Sequence, residues 1–177
     1  MGEAVQVPDT TRRLVLVRHA QAQQIARSDH ERPLTPRGQE DALAAGSWLA
    51  AQGISPDVAL VSDARRTRET WTGLVDGAGW DLEPTVSPAV YEAGAASVLD
   101  LVWATDDDAR TLLVLGHNPT MAMLASLLDD GSGDAEAGNA VALGFPPCSL
   151  VVLEVSGGWT AVQQASLRLT QFHVARG

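Results

Sequence analysis

The stretch that decides the fold is LVLVRHA, residues 14–20. Its first four residues are apolar and include two β-branched valines, which is typical of a strand buried on both faces in a parallel sheet. The apolar run ends at Arg18 and His19. Ligands of open α/β sheets bind beyond the carboxyl ends of the strands, so a cation and an imidazole at this point are candidates for binding or catalysis.

Two further apolar runs end in the same way. Residues 58–61 read VALV and are followed by Ser62 and a segment that contains three arginines. Residues 111–116 read TLLVLG and are followed by His117 and Asn118. If the three runs are parallel strands of one sheet, their carboxyl ends meet at one edge and bring these polar side chains to a single crevice. The sequence therefore predicts an α/β fold with one polar site.

The composition favours a small anion as the ligand of that site. The chain of 177 residues has 12 basic and 22 acidic residues, and its net charge of −10 argues against a general affinity for nucleic acid or anionic membranes. A cluster of arginines in an acidic protein is better explained by a specific anion, and phosphate is the natural candidate. The length predicts one domain over residues 1–177, with residues 1–12 as an irregular leader.

The single cysteine, Cys148, excludes an internal disulfide and any multi-cysteine metal site. We interpret it as a small buried residue before a strand. No basic start is followed by an apolar segment, and no run approaches about 18 apolar residues, so neither a signal peptide nor a membrane span is visible. We therefore expect a cytoplasmic protein with no nucleic-acid or membrane partner, and the sequence leaves its oligomeric state open.

The motifs at these strand ends resemble those of the histidine phosphatase superfamily, the phosphoglycerate mutase-like branch of α/β proteins. Within it they are most similar to the small bacterial phosphohistidine phosphatases of the SixA type. Residues 18–20 (RHA) match the family's Arg-His-Gly/Ala signature, and residues 116–119 (GHNP) match its Gly-His-Asn-Pro box. Residues 62–70 (SDARRTRET) resemble the segment Ser-Pro-x-x-Arg-Ala-x-Gln-Thr, and residues 34–38 (LTPRG) resemble a Leu-Thr-x-x-Gly turn. Four motifs in the family order are a specific signal.

The resemblance implies a three-layer α/β/α fold with a mostly parallel central sheet flanked by helices. It also implies a catalytic set and a substrate-binding set. The catalytic residues would be His19, Arg18, Arg66 and His117, and the substrate-binding residues Arg18, Arg66, Asn118 and Ser62. In these phosphatases the first histidine becomes transiently phosphorylated, which would make His19 the nucleophile. Neither a metal nor a cofactor is expected.

Several assignments stay open on the sequence alone. Three positions of the 62–70 segment differ from the family pattern, so Arg65 and Arg68 remain alternatives to Arg66 as the phosphate ligand. Residues 21–32 are polar and are expected to form a loop over the crevice. A histidine in that loop, His30, either joins the site or is solvated.

The function expected from the resemblance is removal of phosphate from phosphohistidine in a protein. An imidazole that leaves from phosphohistidine has an aqueous pKa of about 6.5, so it needs less help from an acid than an alkoxide does. The alternative is a phosphomonoesterase of a small phosphorylated metabolite. Its acid would be Glu92, which is otherwise a solvated carboxylate. A third hypothesis is a non-catalytic module that binds phosphate.

Capping and periodicity place the remaining elements. Thr35 is expected to cap the first helix, and Gly46 to allow that helix to approach the sheet closely. Helices are predicted over residues 36–52, 64–75, 95–104 and 119–128, a flexible surface turn over 129–138, and a closing hairpin of strands 150–155 and 159–163.

Overall fold

A computed structural model describes residues 11–92 and 94–177 of the protein. Its strands are β1 (Arg12–Arg18), β2 (Val58–Ser62), β3 (Thr85–Ser87), β4 (Thr111–Gly116), β5 (Ser149–Val155) and β6 (Arg168–Val174). Its helices are α1 (Pro36–Ala51), α2 (Arg65–Ala78), α3 (Pro88–Glu92), α4 (Ala95–Trp103), α5 (Thr120–Leu128) and α6 (Ala135–Leu143). None of the helices in these ranges is long and apolar enough to cross a membrane.

The six strands form one sheet in the order β3-β2-β4-β1-β5-β6. The neighbours β1, β4, β2 and β3 run parallel, and β5 and β6 complete the sheet as antiparallel strands, so the predicted mostly parallel sheet is confirmed. Arg18 pairs with Gly116 in register, and Val61 pairs with Leu115. The carboxyl ends of β1, β2 and β4 therefore lie along the same edge of the sheet.

Helices cover both faces of the sheet. Alternate residues of β1 point to opposite faces, because side chains of a strand have a period of two. Val15 and Val17 pack in the apolar cluster that contains α1 and α2. Leu14 and Leu16 pack in the cluster on the opposite face, which contains α4, α5 and α6. The predicted three-layer α/β/α fold is confirmed.

The first helix begins as predicted, and its glycine has a different neighbour from the one expected. Thr35 caps α1, since its hydroxyl oxygen accepts a hydrogen bond from the Gly38 N–H at 3.0 Å. A Cβ atom added at Gly46 would lie 2.2 Å from the Leu74 carbonyl oxygen of α2. The expectation that Gly46 faces the sheet is therefore wrong, because the glycine lets α1 and α2 pack closely.

Two other predictions around α2 and the leader are corrected. Helix α2 continues through Gly77 to Ala78 and ends at Gly79, which has a φ of +69°. Of the predicted irregular leader, residues 1–10 lie outside the described residues, and Arg12 is already the first residue of β1.

The predicted closing hairpin is wrong in its second strand. The antiparallel partner of β5 is β6, which lies further along the chain than residues 159–163. Residues 159–161 form a 3₁₀ turn instead. Trp159 anchors this turn, because its indole ring is buried and its N–H donates to the Ala109 carbonyl at 3.1 Å. A buried aromatic residue thus fixes a turn where the local pattern predicted a strand.

The predicted flexible turn over residues 129–138 is wrong for its second half. Helix α6 begins at Ala135, and Asp134 is its N-cap. The Asp134 carboxylate accepts a hydrogen bond from the Ala137 N–H at 2.8 Å, and Glu136 lies in the first turn. Both acidic residues suit a helix N-terminus, and this capping outweighs the glycines nearby.

Candidate active site

The main chain of His19 is held at the end of β1 by two neighbouring segments. Its N–H donates to the Gly116 carbonyl of β4 at 3.1 Å, and its carbonyl accepts from the Cys148 N–H at 3.0 Å. The side chain is 9% exposed. These contacts fix the position of the imidazole at the sheet edge where the three parallel strands end.

Two hydrogen bonds define the tautomer of His19. Its Nδ1 lies 2.7 Å from the carbonyl oxygen of Ala20, so Nδ1 carries the proton and donates it. The Nε–H of Arg66 donates to the other ring nitrogen, Nε2, at 3.3 Å. Burial, and to a smaller extent the positive charges of Arg66 and Arg18, lower the His19 pKa to about 4. At neutral pH the ring is therefore uncharged, with a lone pair on Nε2.

Arg66 lies beside His19, and its two neighbouring alternatives do not. It is 5% exposed and extends from the first turn of α2. Arg65 and Arg68 are exposed on the helix surface, where Arg65 pairs with Glu69 at 2.6 Å. The structure thus places the arginine that matches the family motif next to the imidazole.

The loop of residues 21–32 reaches over the site through Asp29, as expected for a loop over the crevice. Arg66 donates from Nη1 to the Asp29 carbonyl at 2.6 Å and from Nη2 to the Asp29 carboxylate at 3.0 Å. The carboxylate also accepts from Arg32 at 2.9 Å and from the Tyr91 hydroxyl at 2.8 Å. These hydrogen bonds, first that from Arg32, hold the pKa of Asp29 well below its usual range. Asp29 is therefore a carboxylate throughout the neutral range.

His117 lies on the other side of His19. The centroids of the two rings are 5.2 Å apart, and the His117 Nε2 is 2.7 Å from the Ser62 hydroxyl. That hydroxyl oxygen also accepts from the Ala64 N–H at 3.3 Å, so the Ser62 proton is available to Nε2. His117 Nδ1 is buried and has no hydrogen-bond partner among the described residues. Burial, followed by the charges of neighbouring groups, lowers the His117 pKa to about 3.

Arg18 and Asn118 share one acceptor. Arg18 donates from Nη1, and Asn118 from its side-chain amide, to the Phe145 carbonyl at 2.9 Å each. The Nε of Arg18 is buried and has no partner in the described part of the chain. Burial lowers the pKa of Arg18. All six residues expected from the motifs, His19, Arg18, Arg66, His117, Asn118 and Ser62, therefore stand around one sheet edge.

Comparisons with known proteins agree with this geometry. Residues 14–98 match the model of the histidine phosphatase superfamily, branch 1. The chain is 34% identical to a protein of Nakamurella multipartitia provisionally named phosphohistidine phosphatase SixA, and the two structures superpose with a TM-score of 0.81 over 93% of this chain and 96% of that one. The protein belongs to the histidine phosphatase superfamily.

Two relatives extend the comparison. An uncharacterized protein of Mycobacterium tuberculosis is 37% identical over 150 residues, which cover 84% of this chain and 92% of that protein. Phosphohistidine phosphatase SixA of Escherichia coli is 27% identical over 118 residues, covering 66% of this chain and 73% of that protein. The predicted family resemblance, including its similarity to the SixA type, is confirmed.

The remaining sequence candidates are Glu92, His30 and Cys148. Glu92 is exposed, and its side chain makes no hydrogen bond or ion pair with residues 11–92 or 94–177. His30 pairs with Asp63 at 3.0 Å and lies 5.0 Å, between ring centroids, from Tyr91. Cys148 is fully buried, and burial raises its pKa to about 12, which confirms that it is a buried structural residue.

Three contributors to the site are missed by motif reading: Asp29, Tyr91 and the Phe145 carbonyl. Tyr91 is the only tyrosine of the chain, and its ring lies 5.4 Å from the His117 ring, measured between centroids. Asp29 stands three residues before Arg32, but that spacing in a loop does not say which distant cation the carboxylate meets. A main-chain carbonyl has no sequence signal at all.

Proposed function

We propose that this protein is a phosphohistidine phosphatase of the SixA type, which removes the phosphoryl group from a histidine of a phosphorylated protein. The observation that carries the proposal is the environment of His19. Its Nδ1–H is engaged by the Ala20 carbonyl, which leaves the lone pair of Nε2 beside the Arg66 guanidinium. A neutral imidazole with a directed lone pair next to a cation is suited to attack on a phosphoryl group.

In the first step, His19 Nε2 attacks phosphorus and forms a P–N bond. The P–N bond to the substrate imidazole breaks, its electron pair stays on the leaving nitrogen, and that nitrogen takes up a proton from solvent. The Arg18 and Arg66 guanidinium groups stabilise the negative charge on the phosphoryl oxygens. With Ser62 donating to Nε2, His117 keeps a proton on its unpartnered Nδ1 for another oxygen.

In the second step, water attacks phosphorus and the bond to His19 breaks. The electron pair returns to Nε2, both hydrogens of the water leave on the phosphate, and the neutral imidazole is restored. Two displacements with a good leaving group replace one difficult hydrolysis. Positive charge comes from the arginines, so we propose a reaction that needs no metal ion.

The acids near the site favour phosphohistidine over an ester. An alkoxide needs a positioned proton donor, whereas imidazole leaves readily. Asp29 is held as a carboxylate by its hydrogen bonds, and the Glu92 side chain is exposed and makes no contact of its own with the described part of the site. The alternative is a phosphomonoesterase that acts on a small phosphorylated metabolite with Glu92 as the acid, because Glu92 follows Tyr91, which does contact the site.

The Glu92→Gln variant distinguishes a phosphohistidine substrate from a phosphate ester. We expect this variant to hydrolyse a phosphohistidine peptide at nearly the wild-type rate, because the leaving imidazole needs no enzyme acid. Loss of a general acid for ester hydrolysis would cost about 100- to 10,000-fold. Wild-type enzyme that turns over a panel of phosphate esters faster than phosphohistidine, with a large loss in Glu92→Gln, would favour the phosphomonoesterase.

The nucleophile is tested by trapping the intermediate. Protein incubated with a ³²P-labelled phosphohistidine peptide is stopped in alkali, which preserves P–N bonds, and the label on the enzyme is counted. His19→Asn should lose the label and lower turnover by at least about 1,000-fold. The control is His173→Asn, which changes a histidine outside the site and should keep both the label and the turnover. Label and turnover that persist in His19→Asn would contradict the mechanism, and EDTA should leave the wild-type rate unchanged.

A further inference from the structure

A groove of about 680 Å³ lies next to the candidate active site, and the proposed reaction does not use it. One wall is the loop that carries Arg27 and Glu31, and the other is the start of α2 with Arg65 and Arg68. Its volume is in the range of ligand-binding clefts. The groove is thus large enough for a bound group beyond the phosphoryl group.

The groove and the active site share their dividing wall. Asp29, which holds Arg66 from the loop, precedes His30, which lines the groove. On the helix, Arg66 faces His19, and its neighbour Arg65 lines the groove. The Arg65 N–H donates to the His30 carbonyl at 2.9 Å and ties the two walls together. A molecule bound at His19 therefore has the groove beside it.

The charge of the groove is opposite to that of the protein. The chain carries a net charge of −10, yet three of its arginines and one carboxylate line this groove. Arg65 is paired with Glu69 at 2.6 Å. Arg27 and Arg68 are exposed, and neither has a carboxylate partner within residues 11–92 and 94–177. Two guanidinium groups, one on each wall, are therefore available to an external anion.

The lining also contains an apolar side chain. Ile25 is 87% exposed beside Arg27. A small polyanion would gain nothing from contact with the Ile25 side chain. An extended polypeptide presents apolar and charged side chains in alternation, so it can contact both Ile25 and the arginines. The substrate of the proposed reaction is a polypeptide, so the residues that flank its histidine must leave the site along one of its walls.

We propose that this groove binds an acidic segment of the substrate polypeptide, next to the phosphorylated histidine. This inference rests on the proposed function. Arg27 and Arg68 contact the Asp or Glu side chains of that segment, and Ile25 packs against its apolar residues. The groove then selects among phosphorylated proteins by the charge of the flanking sequence, while the histidines and Arg66 act on the phosphoryl group.

The test compares two phosphohistidine peptides of equal length, one with glutamates flanking the histidine and one with glutamines. We expect wild-type kcat/KM to be about threefold to tenfold higher for the acidic peptide, the sum of two exposed ion pairs. The ratio of the two values, measured on one enzyme preparation, cancels any general loss of activity. The preference should shrink as NaCl is raised from about 0.05 to about 0.5 M.

Arg27→Gln/Arg68→Gln removes the two unpaired charges and should bring the ratio close to one. The matched control is Arg13→Gln/Arg168→Gln, which removes two exposed arginines near the amino end of β1, at the opposite edge of the sheet. It should keep the wild-type ratio. A wild-type ratio of one, or equal ratios in the two double variants, would overturn the proposal.

A binding measurement separates failure of this inference from failure of the proposed function. Fluorescence anisotropy of labelled, unphosphorylated peptides reports on the groove without turnover, and hydrolysis of phosphoramidate by wild-type protein reports on the reaction without the groove. Tighter binding of the acidic peptide that is lost only in Arg27→Gln/Arg68→Gln supports the groove even if phosphoramidate is not hydrolysed. Displacement of that peptide by tripolyphosphate at equal concentration would assign the groove to a small polyanion and overturn the polypeptide.

Discussion

The protonation of His19 is the residue-scale property on which the proposed chemistry depends. Burial lowers its pKa to about 4, and that of His117 to about 3, so both rings are neutral well below pH 6. An exposed imidazole titrates near 6.5. A proton on Nε2 would remove the lone pair, so His19, as the proposed nucleophile, would keep its lone pair over a wider acidic range than an ordinary histidine.

NMR titration of the four histidines tests this directly. We expect the imidazole signals of His19 and His117 to show no titration between pH 8 and pH 5, and His19→Asn assigns one of them by its loss. The sign follows from burial, which destabilises the charged form and lowers the pKa. A midpoint near 6.5 for either ring would contradict the prediction.

Asp29 controls the orientation of Arg66. Its carbonyl and its carboxylate accept two of the three hydrogen bonds that the Arg66 guanidinium donates within residues 11–92 and 94–177. Asp29→Asn keeps the size of the side chain and removes the charge. We expect kcat/KM for phosphoramidate to fall by about threefold to thirtyfold, because the Asp29 side chain is half-exposed and its ion pair is screened by solvent.

The control for Asp29→Asn is Asp100→Asn, the same change at an exposed position of α4. It should leave kcat/KM at the wild-type value. A higher affinity of Asp29→Asn for inorganic phosphate would show that the carboxylate competes with the ligand for Arg66, and would contradict a positioning role.

The motif residues were predictable because each one lies at or just after the end of a strand, or in the first turn of a helix. Arg18, Ser62 and His117 are placed by parallel pairing, which the apolar runs reveal. Asp29 and Tyr91 were not predictable, since their meeting depends on how an irregular loop folds over the sheet. The local sequence does not specify how that loop crosses the sheet.

At the scale of elements, the packing of α1 on α2 depends on glycine. A Cβ at Gly46 would lie 2.2 Å from the Leu74 carbonyl oxygen, and this is a main-chain atom that moves only if the helix moves. We expect Gly46→Ala to lower the free energy of unfolding by about 1–3 kcal/mol, as overpacking does. Urea denaturation followed by circular dichroism measures the change.

Gly138→Ala is the matched control within another helix. The nearest atom to its Cβ would be the Asp129 carboxylate oxygen at 3.6 Å, an ordinary contact. Alanine is the better helix former, so this variant should gain up to about 1 kcal/mol. Equal destabilisation by both changes would mean that close helix packing is not the cause.

Elements with strong local signals were predicted, and those that depend on distant contacts were not. The apolar runs of β1, β2 and β4 and the cap of α1 are local features. The predicted partner of β5 is wrong because residues 156–158 (SGG) have the composition of a hairpin turn, whereas the buried Trp159 lies in a 3₁₀ turn and β5 pairs with β6. The cap of α6, Asp134, was a usable signal that the surrounding glycines obscured.

At the scale of the whole molecule, the two buried histidines make stability depend on pH. In the unfolded chain they titrate near 6.5, and in the folded protein at about 4 and about 3. Between those values the unfolded state binds more protons, so stability is lost as the pH falls from 6.5 towards 4. The same burial that keeps His19 and His117 neutral therefore destabilises the fold in acid.

We expect the free energy of unfolding to be about 3–4 kcal/mol lower at pH 5 than at pH 7, about 2 kcal/mol from each histidine. Urea denaturation at the two pH values measures the difference. The His19→Asn/His117→Asn variant has neither titrating group and should show a much smaller one. Wild-type protein that is equally stable at both pH values would contradict the linkage.

The carbonyl that Arg18 and Asn118 share belongs to Phe145, which also packs its ring against Phe172 at 5.7 Å between centroids. A Phe145→Ala substitution removes only the ring and leaves the carbonyl in place. Its effect would therefore be interpreted as a loss of core packing. Phe145→Leu should keep both hydrogen bonds, since any residue that preserves the main-chain path supplies the same oxygen. We therefore expect position 145 to tolerate other apolar residues, because each of them presents the same carbonyl oxygen to Arg18 and Asn118.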